Sequence, residues 1–305
     1  MGEMIFNTLG MIFAGNLTSE VASFVSSIIN ALQALMSDDG IATLLGVFTG
    51  IAGALITIFL FVDLMDKASK DMITLERLVL TFVKFFLALV IVIYLKEILV
   101  TLFKLAMGFY GMLEKSSLKD QSSISMEYFP DDGNSDPSKW PKYSDVKDAI
   151  EGTGLKKASA LTKNIGLFVQ LLLPMALIWV AKVAAFFITA SNAVMLVVRT
   201  IFAPIGVVQC FDEGQRSSGI RYIKKFVAEA TTFAVILGIL YAASKIQNAL
   251  LANIISEAPY NGVLSVDNMY DAIKNSTVII IIVLQLASVG GMFKAGQLAN
   301  DIIGV

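Results

Sequence analysis

Histidine is absent from this 305-residue chain, and Cys210 is its single cysteine. The lack of histidine excludes His-based general base catalysis and His-ligated metals or haem. One cysteine excludes both an intrachain disulfide and a cysteine cluster for zinc or an iron–sulfur centre. We therefore expect no catalytic residues, no metal ligands and no cofactor, and we interpret Cys210 as an inert small residue.

Charge is also scarce. Only 16% of the residues are charged and 56% are hydrophobic, whereas a soluble domain carries about 25% charged residues. The formal net charge of −2 gives no global attraction to nucleic acid. This composition excludes disorder and predicts an all-α, polytopic helical membrane protein.

The amino-terminal region, residues 1–40, contains no lysine or arginine. Because a signal peptide needs a basic start and a longer apolar core, we expect no cleavable signal here. Residues 19–36 instead predict an amphipathic helix, which either lies at the membrane surface or packs on a neighbouring subunit. Its apolar face comprises Val21, Phe24, Val25, Ile28, Leu32 and Leu35.

About five spanning helices follow, because each needs about 20 apolar residues. Residues 41–113 hold the first span, 41–62, and a second helix from residue 78 that we expect to project beyond the membrane as one long helix rather than to form two spans. Residues 114–164 form a polar insert. Residues 165–305 form a helical bundle whose spans start near 165, 226 and 277.

The first span carries a seam of small residues, Gly46, Gly50 and Gly53. The first two have the GxxxG spacing that lets membrane helices approach closely. We expect this seam to be a helix-packing surface.

The topology is predicted from the basic residues, which concentrate in short loops on the cytoplasmic side of the membrane. Three lie in the 63–77 turn and five in the 190–225 region, against none in residues 1–40. Five spans fit this asymmetry, with the N-terminus and the 114–164 insert outside and the C-terminus inside. The alternative has six spans, with 165–187 and 192–209 crossing separately.

The five-span solution leaves residues 191–208 apolar but not spanning. Proline removes a backbone donor and clashes with the preceding helical turn. We therefore predict an intramembrane helix break at Ala203, Pro204 and Ile205, on the cytoplasmic side.

Three charges fall inside predicted spans: Lys84, Lys182 and Glu229. Charges at such depth are costly and often functional. The two lysines either snorkel to the interface, pair with Glu229 or Asp63 inside the bundle, or line a transport pathway.

Arg221, Lys224 and Lys225 occupy one face of a helix, at positions i, i+3 and i+4. This face suits anionic lipid headgroups on the cytoplasmic side. The alternative is a dock for an acidic cytoplasmic partner.

Two segments carry a family resemblance. Arg199-Thr-Ile-Phe-Ala-Pro-Ile-Gly-Val-Val is followed by Ser217-Ser-Gly-Ile-Arg-Tyr-Ile-Lys-Lys-Phe226. Together they resemble the TrbL family, the channel subunits of conjugative type IV secretion systems in the bacterial inner membrane. The match covers about residues 195–230, and its shared positions are Arg199, Ala203, Pro204, Ile205, Ser217, Tyr222, Lys224 and Phe226.

The resemblance implies a non-enzymatic, homo-oligomeric subunit in the bacterial cytoplasmic membrane. Its implied partners are membrane lipid, the secretion ATPase on the cytoplasmic side and a stalk or scaffold protein outside. The implied cargo is protein, or single-stranded DNA with its relaxase. A secondary transporter and a small pore-forming protein remain as alternatives, and inverted repeats would favour the transporter.

Overall fold

The computed structural model describes residues 3–7, 16–36, 39–70, 74–119, 126–127, 147, 157–211, 218–256, 264–265 and 275–305. Within these residues the chain is almost entirely helical. The main helices are α1 (Asn16–Met36), α2 (Asp39–Ser69), α3 (Leu75–Ile93), α4 (Leu95–Lys119), α5 (Lys157–Val207), α6 (Ser218–Ser256), α7 (Asn275–Phe293) and α8 (Ala295–Ile303). Two short strands, β1 (Met126–Glu127) and β2 (Leu264–Ser265), pair in parallel.

Among the described residues, three helical segments are long and apolar enough to cross a membrane: Gly40–Ser69, Phe168–Val207 and Ser218–Gln247. Two helix pairs pass the same test together but are bent, α3 with α4 by 64° and α7 with α8 by 54°. The number of candidate spans is five if each bent pair counts as one. The all-helical class is confirmed, and the apolar helices fit a membrane protein with three to five spans.

The chain divides into two compact units. The first contains Met1–Val25, Met112–Ile188 and Ile236–Ala295, and the second contains Ser26–Gly111, Thr189–Val235 and Gly296–Val305. In each unit the core is made of apolar side chains that contact other helices. Because the boundaries fall inside helices, α1, α4, α5, α6 and α8 each contribute residues to both units.

The amphipathic helix predicted over residues 19–36 is present as α1, which begins at Asn16. Part of its apolar face is covered by the chain itself, because Val21 and Val25 are fully buried and Phe24 stacks on Phe186 of α5 with ring centroids 4.1 Å apart, whereas Leu35 is 41% exposed. The sequence predicted a membrane-surface helix or a contact with a neighbouring subunit for this face. Neither interpretation included this intrachain packing, and both remain predictions for the part of the face that stays exposed.

The turn predicted over residues 63–77 is mostly helical, since α2 continues to Ser69. Ion pairs one helical turn apart extend the helix, with Lys67 Nζ 2.5 Å from Asp63 Oδ2 and Lys70 Nζ 2.7 Å from Asp66 Oδ2. Such i,i+4 pairs stabilise a helix modestly. The hydroxyl of Thr81 on α3 donates to Asp63 Oδ2 at 3.1 Å, which joins α2 to α3.

The prediction of a single long second helix is wrong, because the chain bends at Tyr94 between α3 and α4. Tyr94 caps α3, and its N–H is directed at the carbonyls of both Val90 and Val92. Glu97 lies in the first turn of α4, where a carboxylate interacts favourably with the helix dipole. Lys96 and Glu97 are the first charged residues after Lys84, and both lie in the first turn of the new helix.

The polar insert is shorter than predicted, because α4 extends to Lys119 and α5 begins at Lys157. Most of the intervening residues lie outside the described part of the chain. Met126 of β1 pairs with Leu264 of β2, which connects the insert to the loop between α6 and α7. The sequence did not predict this pairing.

The helix break predicted at Pro204 is also wrong, because α5 is continuous from Lys157 to Val207 and passes through Pro204. A 3₁₀ turn, Val208–Phe211, follows it. Membrane helices tolerate proline where neighbouring groups hydrogen-bond the freed backbone. The six-span alternative fails with the break, because one continuous helix cannot cross a membrane separately over 165–187 and 192–209.

Candidate functional site around Arg199 and Glu229

The resemblance segments meet where the carboxyl-terminal part of α5 packs on the amino-terminal part of α6. Arg199 on α5 binds Glu229 on α6, with Nε 2.5 Å from Oε1. The two side chains are 24% and 18% exposed, respectively. This pair is more enclosed than the pairs Lys67–Asp63, Lys70–Asp66 and Lys182–Glu20.

Three residues of α5 reach α6 at intervals of seven: Asn192, Arg199 and Gly206. Tyr222 and Glu229 on α6 are also seven apart. Positions seven apart return to the same helical face after two turns. This repeat explains why residues distant in sequence converge on one seam between the two helices.

Asn192 secures one end of this seam, because its Nδ2 donates to the backbone carbonyl of Glu229 at 2.7 Å. In the sequence, Ala190, Ser191 and Asn192 form a polar break in an apolar run. The helix is nevertheless continuous there, and Asn192 serves as an interhelical contact.

Tyr222 makes the contacts at the other end of the seam between α5 and α6. Its hydroxyl donates to the backbone carbonyl of Arg199 at 2.7 Å, and the Arg199 guanidinium lies 5.9 Å from the centre of its ring. Arg199 is adjacent to Thr200, whose carbonyl loses its helical donor because Pro204 has no N–H. The hydroxyl of Tyr222 thus bonds the carbonyl one residue before the one that Pro204 leaves without its donor.

Gly206 makes room for that ring. A Cβ atom at this position would lie 2.5 to 2.8 Å from three ring carbons of Tyr222. No larger residue fits without moving Tyr222. The resemblance segment includes Gly206, but the sequence did not single it out.

One carboxylate oxygen of the site is left without a hydrogen bond. Glu229 Oε2 is buried and has no hydrogen-bond partner among the described residues. An unpaired buried oxygen favours a further donor. In the described ranges, no group of histidine, cysteine, aspartate or glutamate is arranged to hold a metal ion.

The remaining resemblance residues have structural surroundings of different kinds. Ala203 and Phe226 are fully buried, Pro204 is buried and Ile205 is half-buried. Ser217 lies outside the described residues.

The predicted basic face is largely open to solvent or lipid, with Arg221 and Lys224 exposed and Lys225 half-buried. Lys224 Nζ donates to the carbonyl of Gly304 at 3.3 Å, just after the end of α8. Gly304 has a φ of 73°, and its N–H closes the helix on Asn300 at 2.9 Å. A cation at this end interacts favourably with the dipole of α8.

Of the three alternatives for Lys84 and Lys182, pairing with Glu229 or Asp63 is wrong. Lys182 pairs with Glu20 of α1 and lies 5.7 Å from the ring centre of Phe186. Lys84 is exposed on α3, and none of the described acidic residues pairs with it. Arg199 is the partner of Glu229, a pairing that the sequence reasoning missed because it treated Arg199 only as a motif residue.

The predicted glycine seam has no close neighbour in the chain. A methyl group added at Gly46, Gly50 or Gly53 would meet no atom within 4 Å. The close helix approach expected there does not occur among the described residues.

Sequence reasoning also missed a polar contact in the first unit. Gln285 Nε2 on α7 donates to Gln247 Oε1 on α6 at 3.4 Å, and both residues are buried. Two glutamines within apolar helices are a signal for interhelical hydrogen bonding.

Comparison of the chain with protein-family models, with curated proteins and with solved structures finds no match.

Proposed function

We propose that this chain is a non-enzymatic channel or scaffold subunit of a type IV, conjugative secretion apparatus in the bacterial cytoplasmic membrane. It would help a DNA–protein or protein substrate to cross that membrane. The observation that carries the proposal is the cluster of Arg199, Tyr222 and Glu229. Two of the resemblance residues, 23 positions apart in sequence, make direct contact there.

The cluster supports the proposal because it gives the resemblance a physical basis. The tyrosine at the start of α6 bonds the backbone of the arginine before Ala-Pro-Ile, across the seam between α5 and α6. The two residues are therefore needed together. Gly206, the next residue after that Ala-Pro-Ile run, is the position that admits the tyrosine ring.

We propose a five-span topology, with the N-terminus outside and the C-terminus in the cytoplasm. Two contacts support it. The β1–β2 pairing joins the 114–164 insert to the loop after α6, which fits a path with both outside. Lys224 at the start of α6 binds Gly304 after α8, which fits a path with both on the cytoplasmic side.

The proposed partners follow from this arrangement. The exposed cations Arg221 and Lys224 would face the cytoplasmic boundary, where they would contact anionic lipid headgroups or the secretion ATPase. The insert would meet the external stalk or scaffold protein. The translocated cargo would be protein, or single-stranded DNA with its relaxase, carried along an oligomer of this chain.

The experiment is a transfer assay in a donor cell that carries the secretion genes and lacks this chain. Wild-type protein should restore transfer, and Tyr222→Ala should restore much less at equal membrane abundance. Phe109→Ala, at an exposed position of α4, is the matched control and should behave as wild type. Full transfer without the chain would refute the proposal.

A secondary transporter is the second candidate, because two helix pairs are bent, by 64° and 54°. Broken helices line substrate sites in many transporters. Such a protein would function without the secretion genes. Loss of small-solute uptake on deletion of the chain, in cells that lack those genes, would favour this alternative.

A further inference from the structure

Three cations lie at the start of α6: Arg221, Lys224 and Lys225. The candidate span Ser218–Gln247 begins at the first residue of this helix. At 1.5 Å per residue, the cations are about 4.5 to 10.5 Å from the start of the span. Long basic side chains reach the membrane interface from such a depth, so this end of α6 brings its cations to the headgroup region.

Lys224 is held beside the end of α8. Its Nζ donates to the carbonyl of Gly304 at 3.3 Å, and this bond uses one of the three N–H groups of an ammonium. Arg221 precedes Lys224 by about one turn, both side chains are exposed and Lys225 is half-buried. Guanidinium and ammonium groups bind phosphate through charge-assisted hydrogen bonds. The start of α6 therefore offers donors to an anion with several oxygen atoms.

An apolar edge of α8 ends at the same place. Ala299 is fully buried, whereas Leu298 and Ile302 are 45% and 61% exposed. These two exposed residues are four apart, so they lie on one side of the helix. Ile302 is two residues before Gly304, which accepts the hydrogen bond from Lys224. Exposed apolar side chains and exposed cations therefore adjoin each other.

This surface carries a net positive charge. Residues 218–225 include no acid, and Asp301 is the acidic residue of α8. Glu229, one turn farther along α6, is already paired with Arg199. Three cations against one carboxylate leave a net charge of +2, which favours an anionic ligand.

We propose that the surface formed by Arg221, Lys224, Lys225, Leu298 and Ile302 binds the headgroup of an anionic phospholipid. The cations meet the phosphate, and the two apolar side chains meet the start of the acyl chains. Surfaces of this kind bind membranes through buried apolar area and attraction to anionic lipid together. An acidic protein partner would account for the cations alone, whereas a phospholipid accounts for the cations and for the two apolar side chains.

The inference deepens the proposed function and rests on it for the cytoplasmic side of this surface, because it selects lipid over the secretion ATPase as the partner. The two fail separately. Protein that binds anionic lipid but does not restore transfer would refute the secretion role alone. Transfer restored by protein without a lipid preference would refute the lipid site alone.

The test measures lipid binding to the purified full-length protein by native mass spectrometry in a neutral detergent. Wild-type protein should bind phosphatidylglycerol more tightly than phosphatidylcholine. Joint replacement by Arg221→Gln and Lys224→Gln should weaken phosphatidylglycerol binding about 25-fold, about fivefold for each cation. The control replaces two other exposed lysines, Lys104→Gln and Lys115→Gln, and should keep the wild-type affinity.

Leu298→Ser with Ile302→Ser should also weaken phosphatidylglycerol binding, which a site for free phosphate would not require. The proposal is overturned if wild-type protein shows no preference for phosphatidylglycerol, if the apolar variant keeps full affinity, or if the lysine control loses as much affinity as the cation variant. Binding of the secretion ATPase that needs Arg221 and Lys224, with phosphatidylglycerol affinity unchanged in the cation variant, would also overturn it and assign the surface to a protein.

Discussion

Removal of Glu229 tests whether the Arg199 ion pair stabilises the fold. Glu229→Gln keeps the size of the side chain and removes its charge, which leaves the Arg199 guanidinium without its carboxylate 2.5 Å away. Loss of one partner of a buried pair costs about 3 to 5 kcal/mol. Because the side chains are 24% and 18% exposed, we expect the lower end, about 3 kcal/mol.

The single substitution also removes contacts unrelated to the charge, so a double-mutant cycle isolates the pair. The cycle compares Arg199→Gln, Glu229→Gln and the double variant. Their free energies of unfolding are measured by titrating SDS into mixed micelles. Groups in direct contact show coupling energies of about 0.5 to 3 kcal/mol, and we expect about 2 kcal/mol for this enclosed pair.

Asp66 and Lys70 provide the control cycle. They form a pair at 2.7 Å on α2, but their side chains are 56% and 58% exposed. An exposed i,i+4 pair contributes about 0.2 to 0.5 kcal/mol. If the Arg199–Glu229 coupling is no larger than the Asp66–Lys70 coupling, the reasoning that enclosure strengthens the pair is refuted.

Three further predictions concern the same region and the topology. Gly206→Ala should destabilise the protein by about 1 to 3 kcal/mol, because its methyl group overlaps the Tyr222 ring. The control, Gly50→Ala, should not destabilise it, because a methyl group there meets no atom within 4 Å. Equal free energies of unfolding for the two variants would contradict this prediction. In the Cys210→Ser background, a cysteine at Ser135 should react with an impermeant label added outside intact cells. A cysteine at Ser218 should react only after the cells are permeabilised, and external labelling at Ser218 would disprove the topology. Replacement of Arg221, Lys224 and Lys225 by glutamine should impair transfer or assembly more than membrane insertion, and wild-type transfer would show that the three charges are only solvated.

Residues 19–36 and the apolar runs were predictable as helices because local periodicity and hydropathy determine them. A segment such as 41–62 carries its helical and membrane character in its own composition, independently of its neighbours. The absence of histidine likewise limits the chemistry open to the chain, whatever its fold. The resemblance segments also included Arg199 and Tyr222 among their shared positions, although not as a contact.

The positions at which helices end depend on interactions that the local sequence pattern does not contain. Proline favours a break, yet α5 continues through Pro204 beside Tyr222, whose hydroxyl donates to the neighbouring Arg199 carbonyl. The second helix shows the reverse, because an uninterrupted apolar run bends at Tyr94 without proline or glycine.

The sequence by itself determined that the chain is helical, apolar and suited to a membrane, because these properties are sums over single residues and their near neighbours. Only the tertiary structure decided that Glu229 binds Arg199 rather than a lysine, and that the apolar face of α1 packs on the chain itself. An enclosed charge in a span needs a partner, and the sequence shows this need only as a charge inside an apolar run. Which partner satisfies it depends on how the helices are brought together, since residues 30 positions apart meet only when α5 and α6 pack side by side.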